Sequence, residues 1–340
     1  MGQELDDATA ELELSAVVPA IRSIIERLTA DQAMPVPRHQ TLQVVGIRDF
    51  LKRKIPAREM LLSPILPERS LSMTYSPRGV GKTWVLLSMG VAVASGTKLL
   101  GWSAPRPRNV LHVDGEMSVG SLQERLKDIS NGLGVKTPTN ERFRIVAADD
   151  TETGINLSTK EGQDSLEPLL RGVDLLQLDN LATLTDCSEN AGDAWVPIQD
   201  WLLKLRRRGI SVAFAHHANI KGRARGTSRR EDVLDMIMAL RRPEDYSPEQ
   251  GCRFEIHIEK LRHYAEGASA PFEASIESSG QGGIRWSCCD LLAANLERAA
   301  ELYAEELTVR EVAKELGISK SNAQRLRKQA IEQGLFEAVQ

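Results

Sequence analysis

Cysteine is scarce and unpatterned in this chain. Cys187, Cys252, Cys288 and Cys289 form no C-x-x-C pair, which excludes the usual zinc spacings and a disulfide framework and makes a reducing cytoplasm the expected setting. Long apolar runs are lacking as well: no stretch approaches the roughly 20 residues of a membrane span. The first residues are acidic (Glu4, Asp6, Asp7, Glu11, Glu13) where a secretory leader is basic. Neither secretion nor membrane insertion is expected. Positive charge is not in excess either; the net charge is −4, so any contact with nucleic acid must come from local patches and not from the overall field. What the chain does have is bulk. Its 340 residues, 41% hydrophobic and 26% charged, suffice to bury a full core, with room for one large domain and one small one.

Along the chain, Leu14, Val17, Val18, Ile21, Ile24, Ile25 and Leu28 fall on one face of a helix over Leu12 to Leu28. That face fits equally the chain's own core or a neighbouring subunit. Met34-Pro35-Val36-Pro37 ends the helix as a linker, and a short helical pattern follows at Ile47 to Ile55. Strand patterns at Leu71–Tyr75, Asn109–Val113, Phe143–Ala147, Val173–Leu178 and Ile210–Ala215 alternate with helical ones at Trp84–Ala94, Ser118–Asn131 and Ala194–Arg208. Alternation of this kind predicts an α/β fold with a mostly parallel sheet and helices on both faces. From Val233 the pattern turns to consecutive strands (to Leu240, then Arg253–Glu259, Phe272–Ile276, Ile284–Cys288), so the sheet is expected to finish in hairpins, followed by a helix from Leu291. The expected division is an N-terminal helical arm and linker over 1–58, an α/β core over 59–289 and a small all-α module over 290–340.

The most informative stretch is Ser76-Pro77-Arg78-Gly79-Val80-Gly81-Lys82-Thr83-Trp84. A strand followed by a glycine turn, a lysine, a hydroxyl and a helix is the arrangement that curls backbone N–H groups round a β-phosphate. Lys82 then serves the β- and γ-phosphates and Thr83 a Mg²⁺ ion, with the positive end of the helix facing the anion. ATP and Mg²⁺ are the expected ligands. Ser76 stands where the first glycine is usual. An apolar strand ending in Asp179 supplies the expected magnesium acid. A second strand ends in Asp114 and Glu116, of which Glu116 is the expected base for the attacking water, against the alternative that it caps the next helix. His216 and His217 lie at the end of a third strand and point to opposite faces, so one of them is placed to sense the γ-phosphate. Beyond them Lys221, Arg223, Arg225, Arg229 and Arg230 make a basic, glycine-punctuated segment suited to phosphates of a nucleic acid or of a neighbour's nucleotide, or simply to solvent.

Near the C-terminus, Thr308 as N-cap, Val312, Ala313 and Leu316, a turn at Gly317-Ile318-Ser319, and Ala323, Leu326 and Ala330 read as helix, turn, helix. The second helix carries Lys320, Arg325, Arg327 and Lys328, and it resembles the helix-turn-helix modules of bacterial regulators. Duplex DNA is one expected partner; a structural or oligomerising cap is the other reading.

Taken together, Ser76 to Thr83, Asp114 to Ser118, Leu178-Asp179-Asn180, His216-His217, Arg225 to Ser228 and Glu259-Lys260-Leu261-Arg262 resemble, in content and order, the RecA/DnaB superfamily of ATPases. Within it the set is similar to the RepA-type hexameric helicases of plasmids and mobile elements, over roughly residues 60 to 288. The resemblance implies Glu116 as catalytic glutamate, Asp179 as Walker B acid and His217 or His216 as switch residue. It also implies Lys260 and Arg262 as the paired cations that reach a γ-phosphate bound by the adjacent subunit, and hence a ring of identical subunits around single-stranded DNA. Phe254, Ile256 and Ile258 are expected on one face of the late strand, with Lys260 and Arg262 together on the other. Ser76 departs from the family pattern, and no primase-interacting domain is recognisable. Two functions remain open at this point: a helicase or translocase, and a nucleotide-gated DNA-binding regulator.

Overall fold

The computed structural model describes residues 44–152, 154–185, 192–218, 229–243, 245–263, 268–279 and 283–336. The expected helix at Leu12 to Leu28, the Cys187 thiol, the basic residues Lys221, Arg223 and Arg225, and most of the Gly280–Gly283 turn lie outside them. Two compact units are present, residues 1–56 and 57–340. In the first, the described part is one short helix, α1 (Ile47–Lys52), whose Ile47, Phe50 and Leu51 side chains are exposed.

The second unit is built on a nine-stranded sheet. In chain order its elements are β1 (Met60–Leu62), β2 (Leu66–Pro67), β3 (Leu71–Ser76), α2 (Lys82–Ser95), β4 (Lys98–Leu99), β5 (Trp102–Ser103), β6 (Val110–Asp114), α3 (Val119–Gly132), β7 (Phe143–Ala147), α4 (Lys160–Leu166) and β8 (Leu175–Asp179). There follow α5 (Gly192–Arg207), β9 (Ser211–His217), α6 (Arg229–Asp232), β10 (Met236–Arg241), β11 (Cys252–Leu261), β12 (Phe272–Ser278), β13 (Ile284–Asp290), α7 (Leu291–Ala304), α8 (Val309–Glu315) and α9 (Lys320–Glu332). The sheet order is β13-β12-β11-β10-β3-β9-β8-β6-β7. From β10 to β7 every pairing is parallel, and β11, β12 and β13 join antiparallel. A mostly parallel α/β sheet finishing in hairpins is therefore what the chain forms. Among the described residues no helix is long and apolar enough to cross a membrane.

Strands buried on both faces explain the continuous apolar runs in the sequence. One face packs on α2, where Val85, Leu86, Met89 and Val93 meet Val110, Leu175, Ala213, Met238 and Phe254. The other packs on α5 through Trp195, Ile198, Trp201 and Leu202, against Leu71, Met73, Leu111, Leu176 and Phe214. Because α2 lies so close to the sheet, Gly90 has no room for a side chain: a Cβ there would stand 2.4 Å from Gln177 Oε1 and 2.9 Å from Phe143. Alanine inside a helix is ordinarily favoured over glycine by about 1 kcal/mol. Here the overlap outweighs that gain, and Gly90→Ala is expected to lose about 1–3 kcal/mol, read as a lowered melting temperature.

Strand β11 contains a local irregularity with consequences for the candidate cations. Ile237 pairs with Lys260 but Met238 pairs with Ile258, so Glu259 is an extra residue in the ladder. Simple alternation would leave Lys260 and Arg262 on the face of Phe254, Ile256 and Ile258. The bulge reverses this: Lys260 shares the face of its partner Ile237, and Ile258 that of Met238. The two cations are on the expected side, for a reason that alternation does not contain.

The last three helices have their own apolar cluster, formed by Leu296, Ala299, Tyr303, Val312, Ala323, Leu326 and Ala330. Helix α8 starts with a full capping box between Thr308 and Glu311, and Ser319 caps α9 by accepting from the Asn322 N–H. Helix α7 is tied to the sheet by a compact ionic cluster. Arg253 on β11 bonds Glu273 on β12 (2.9 Å) and Asp245 (3.0 Å), and Arg298 on α7 bonds the same Glu273 and Asp245 (3.1 Å). The side chains of Arg253, Glu273 and Arg298 are no more than 15% exposed.

Candidate nucleotide site

Strands β3, β6, β8 and β9 end side by side at the carboxyl edge of the sheet, where open α/β folds bind ligands. Between β3 and α2 the loop turns through Gly79 (φ 75°) and Gly81 (φ 141°). At Gly81 a Cβ would meet the Phe254 ring at 2.7 Å, and that ring is held edge-on against Trp286. Only glycine serves there.

Lys82, almost buried, folds back over the loop. Its Nζ donates to Ser76 O (3.2 Å), Ser76 Oγ (3.3 Å) and Pro77 O (3.1 Å). The serine in the usual glycine position thus adds a hydroxyl acceptor for the lysine, and that hydroxyl itself donates to Pro77 O (2.7 Å). Burial pulls the Lys82 pKa down, while the carboxylates of Asp179 and Glu116 oppose the fall. Arg78, Gly79, Gly81, Lys82, Thr83 and Trp84 line a cavity of about 430 Å³, with Glu116, Asp179 and His217 on its far wall. Val80 is turned into the core instead.

Asp179 is 3% exposed and lines the cavity together with Thr83. Burial raises its pKa, against the lowering influence of His112, Thr83 and Lys82. Its Oδ2 has no hydrogen-bond partner among the described residues. A hydroxyl and a buried carboxylate with a spare oxygen, facing a phosphate cavity, fit a hard divalent ion such as Mg²⁺.

The two acids after β6 are separated by their hydrogen bonds. Asp114 Oδ1 accepts the backbone N–H groups of Glu116 (2.9 Å) and Met117 (2.6 Å). Burial raises the Asp114 pKa, but the His112 contact and those two amides more than offset it and leave it low. Asp114 is therefore a permanent acceptor that shapes the turn, and Glu116 is the acid that reaches the cavity. The Glu116 carboxylate accepts from Asn180 Nδ2, which also lies 3.4 Å from His217 Nε2. Asn180 joins the candidate base to the candidate sensor, a role that nothing in the residue pattern assigned to it. Of the two histidines, His217 lines the cavity; His216 takes the opposite face of β9, with Phe214.

Two arginines of the site were not legible beforehand. Arg242, just past the end of β10, donates to Gly79 O (2.8 Å) and Arg253 O (2.6 Å) and stacks on the Tyr246 ring at 3.7 Å. Arg125, on α3, lies 4.9 Å from the Trp84 ring centre. A cationic residue just beyond the strand next to β3 was the available signal for Arg242; Arg125 had none, because α3 reaches the cavity only through tertiary packing. Cys252 also lines the cavity, and burial pushes its thiol up to about 11.

Residues 36–223 match the model of the AAA domain family, more than half of the chain. The chain belongs to that family. It is a nucleotide-binding P-loop ATPase, and the AAA domain match takes in the glycine loop, Glu116, Asp179 and His217. No curated protein matches the sequence. Lys260 and Arg262 lie outside the matched span and outside the cavity: Lys260 Nζ donates to Glu231 O and Arg262 to Asp232 O. On α9, Lys320, Arg325, Arg327 and Lys328 are all exposed; Arg327 leans on the Tyr303 ring (5.5 Å) and Lys328 pairs with Glu332 (3.7 Å).

Proposed function

We propose that this AAA protein is a Mg-ATP hydrolase acting on DNA, a ring-forming helicase or translocase of the RepA type that completes each ATP site with residues of a neighbouring copy, most simply in a hexamer. The observation that carries the reading is the division of the cations. Lys82 serves the chain's own cavity, whereas Lys260 and Arg262 sit together outside it, on a face set by the Glu259 bulge. On binding, Lys82 exchanges its bonds to Ser76 and Pro77 for β- and γ-phosphate oxygens. Thr83 and Asp179 are the residues that would hold Mg²⁺, which would supply neutralisation of the phosphate charge. Glu116, aimed by Asn180, takes the proton of the attacking water, and His217 is within reach of the same amide. The planes of Arg125 on Trp84 and Arg242 on Tyr246 offer faces for a base. DNA contacts are assigned to Lys221, Arg223 and Arg225 for a single strand, and to Lys320, Arg325, Arg327 and Lys328 for a duplex.

One observation favours a second reading, in which ATP gates duplex binding by the C-terminal helices without unwinding. Arg242 walls both the nucleotide cavity and a second one of about 310 Å³ beneath Leu316, Gly317 and Ile318, the turn between α8 and α9. Strand displacement from a forked duplex that depends on ATP supports the motor. Protection of a specific duplex with no unwinding supports the regulator.

Both readings require the phosphate loop. Lys82→Ala is expected to lose binding of a fluorescent ATP analogue and to lower turnover by about 10²- to 10³-fold, the loss typical of removing one preorganised charge from a transition state. Wild-type turnover in Lys82→Ala would overturn both.

A further inference from the structure

Opposite β10, each residue of β11 from 255 to 261 has a ladder partner except Glu259. The register of the sheet therefore does not fix the backbone at the bulge. An unpaired residue of this kind bends its strand and re-aims whatever follows. Here Lys260 and Arg262 follow, and they are only as well placed as Glu259 is.

Glu259 is held by its side chain instead. The Tyr75 hydroxyl donates to Glu259 Oε2 (2.7 Å), and Arg241 Nη2 donates to Oε1 (2.5 Å). Hydrogen bonds to an ionised carboxylate are the short, strong kind. Both oxygens are thus in use, and Arg262 is left to the Asp232 carbonyl. Arg241 ends β10, and Tyr75 lies on β3, one strand further on, so the clamp spans three strands. Tyr75 is 4% exposed and belongs to the same apolar cluster as Ile237, which puts the contact on the face that carries Lys260. Burial, then the bond to Glu259, raise the Tyr75 pKa and keep the phenol protonated as the donor. Both anchors adjoin the phosphate loop. Tyr75 precedes Ser76, whose carbonyl and hydroxyl hold Lys82, and Arg241 precedes Arg242, which bonds Gly79 O.

We infer that Glu259, clamped by Tyr75 and Arg241, is a positioning residue for the cations that one copy of this chain supplies to its neighbour's ATP. This rests on the reading of Lys260 and Arg262 as that pair. The strands that shape a chain's own phosphate loop then also fix the charges it lends. Without the clamp the unpaired segment is free to shift toward a regular ladder, in which alternation puts Lys260 on the face of Ile258 and not of Ile237. A small part of that shift suffices, because displacing a reacting group by about 1 Å slows a reaction by about 10²-fold. Stability depends on the clamp far less, since a partly exposed ion pair contributes little to it.

The test measures kcat, affinity for a fluorescent ATP analogue and melting temperature in full-length Glu259→Ala, Glu259→Gln, Tyr75→Phe and Arg262→Ala, alone and in mixtures. Glu259→Ala is expected to lose about 10- to 100-fold in kcat, with affinity within about threefold and the melting temperature close to wild type. Glu259→Gln, whose amide still accepts from Arg241 and donates to the Tyr75 oxygen, is expected to recover most of that loss. Tyr75→Phe keeps the Arg241 bond and is expected to fall between them. Mixing separates lending from receiving. Glu259→Ala with Glu116→Gln is expected to regain turnover, because sites of the first chain then face intact cations of the second. Glu259→Ala with Arg262→Ala is expected to regain none, because neither lends a working pair. If Arg262→Ala turns over normally, the shared site itself fails. If Arg262→Ala is impaired while Glu259→Ala and Tyr75→Phe keep wild-type kcat, the positioning role is overturned. It is overturned too if Glu116→Gln protein rescues Arg262→Ala but not Glu259→Ala, which places the defect in the chain's own site, or if Glu259→Gln is as slow as Glu259→Ala.

Discussion

Glu116→Gln is expected to bind ATP as tightly as the wild type and to turn it over about 10²- to 10⁴-fold more slowly, the usual worth of a positioned general base. The exchange keeps the size of the side chain and its oxygen acceptor, so the bond from Asn180 survives and the cavity keeps its shape. What disappears is the basic oxygen. Asp114 cannot substitute for it, because Asp114 is 1% exposed and one of its oxygens is committed to two backbone amides. Steady-state turnover, together with binding of a fluorescent analogue, separates the two effects. Turnover within about tenfold of wild type would place the base on another residue.

Arg262→Ala is expected to retain nucleotide binding and to lose about 10³- to 10⁵-fold in turnover, the range associated with an arginine supplied in trans. The structure gives this prediction its geometry. The bulge at Glu259 sends Lys260 to the face of Ile237, and both cations currently rest on backbone carbonyls of α6. Burial, followed by the charge of Arg262, lowers the Lys260 pKa. Two like charges so placed are best stabilised by an anion between them, such as the γ-phosphate in a neighbouring copy. Mixing Arg262→Ala with Glu116→Gln protein should therefore restore part of the activity, since some mixed interfaces contain a wild-type residue from each side. Normal hydrolysis by Arg262→Ala, or wild-type turnover per chain that is independent of protein concentration, rules out a shared site.

Much of the site could be read from local pattern, and the unread part has a common physical cause. The glycine loop, Asp179 and the parallel strands are local signals: each needs only a few consecutive residues of fixed type. The choice between Asp114 and Glu116 was less local, since it depends on which carboxylate turns back to meet the amides two and three residues on. Asn180, Arg125 and Arg242 act across 64, 41 and 163 residues of sequence, on Glu116, Trp84 and Gly79. Such pairings are made by strand order and by helix packing, neither of which leaves a period in the sequence. The β11 bulge is similar. Nothing in Phe254 to Arg262 marks Glu259 as supernumerary; its partner strand does.

The cluster of Arg253, Glu273, Arg298 and Asp245 bears on how salt titrations of this protein read. At about 0.15 M salt the screening length is about 8 Å, and mobile ions weaken contacts between exposed basic side chains and phosphates long before they reach charges shielded from water. Lys320, Arg325, Arg327 and Lys328 belong to the first kind, and the anchor of α7 to the second. Raising ionic strength therefore strips the outer face of α9 of its counter-charges while the helix bundle stays fixed to the sheet. On the proposed reading in which α9 meets duplex DNA, a slope of log affinity against log salt would count phosphate contacts of α9, at about 0.9 per contact, with no contribution from the bundle coming loose.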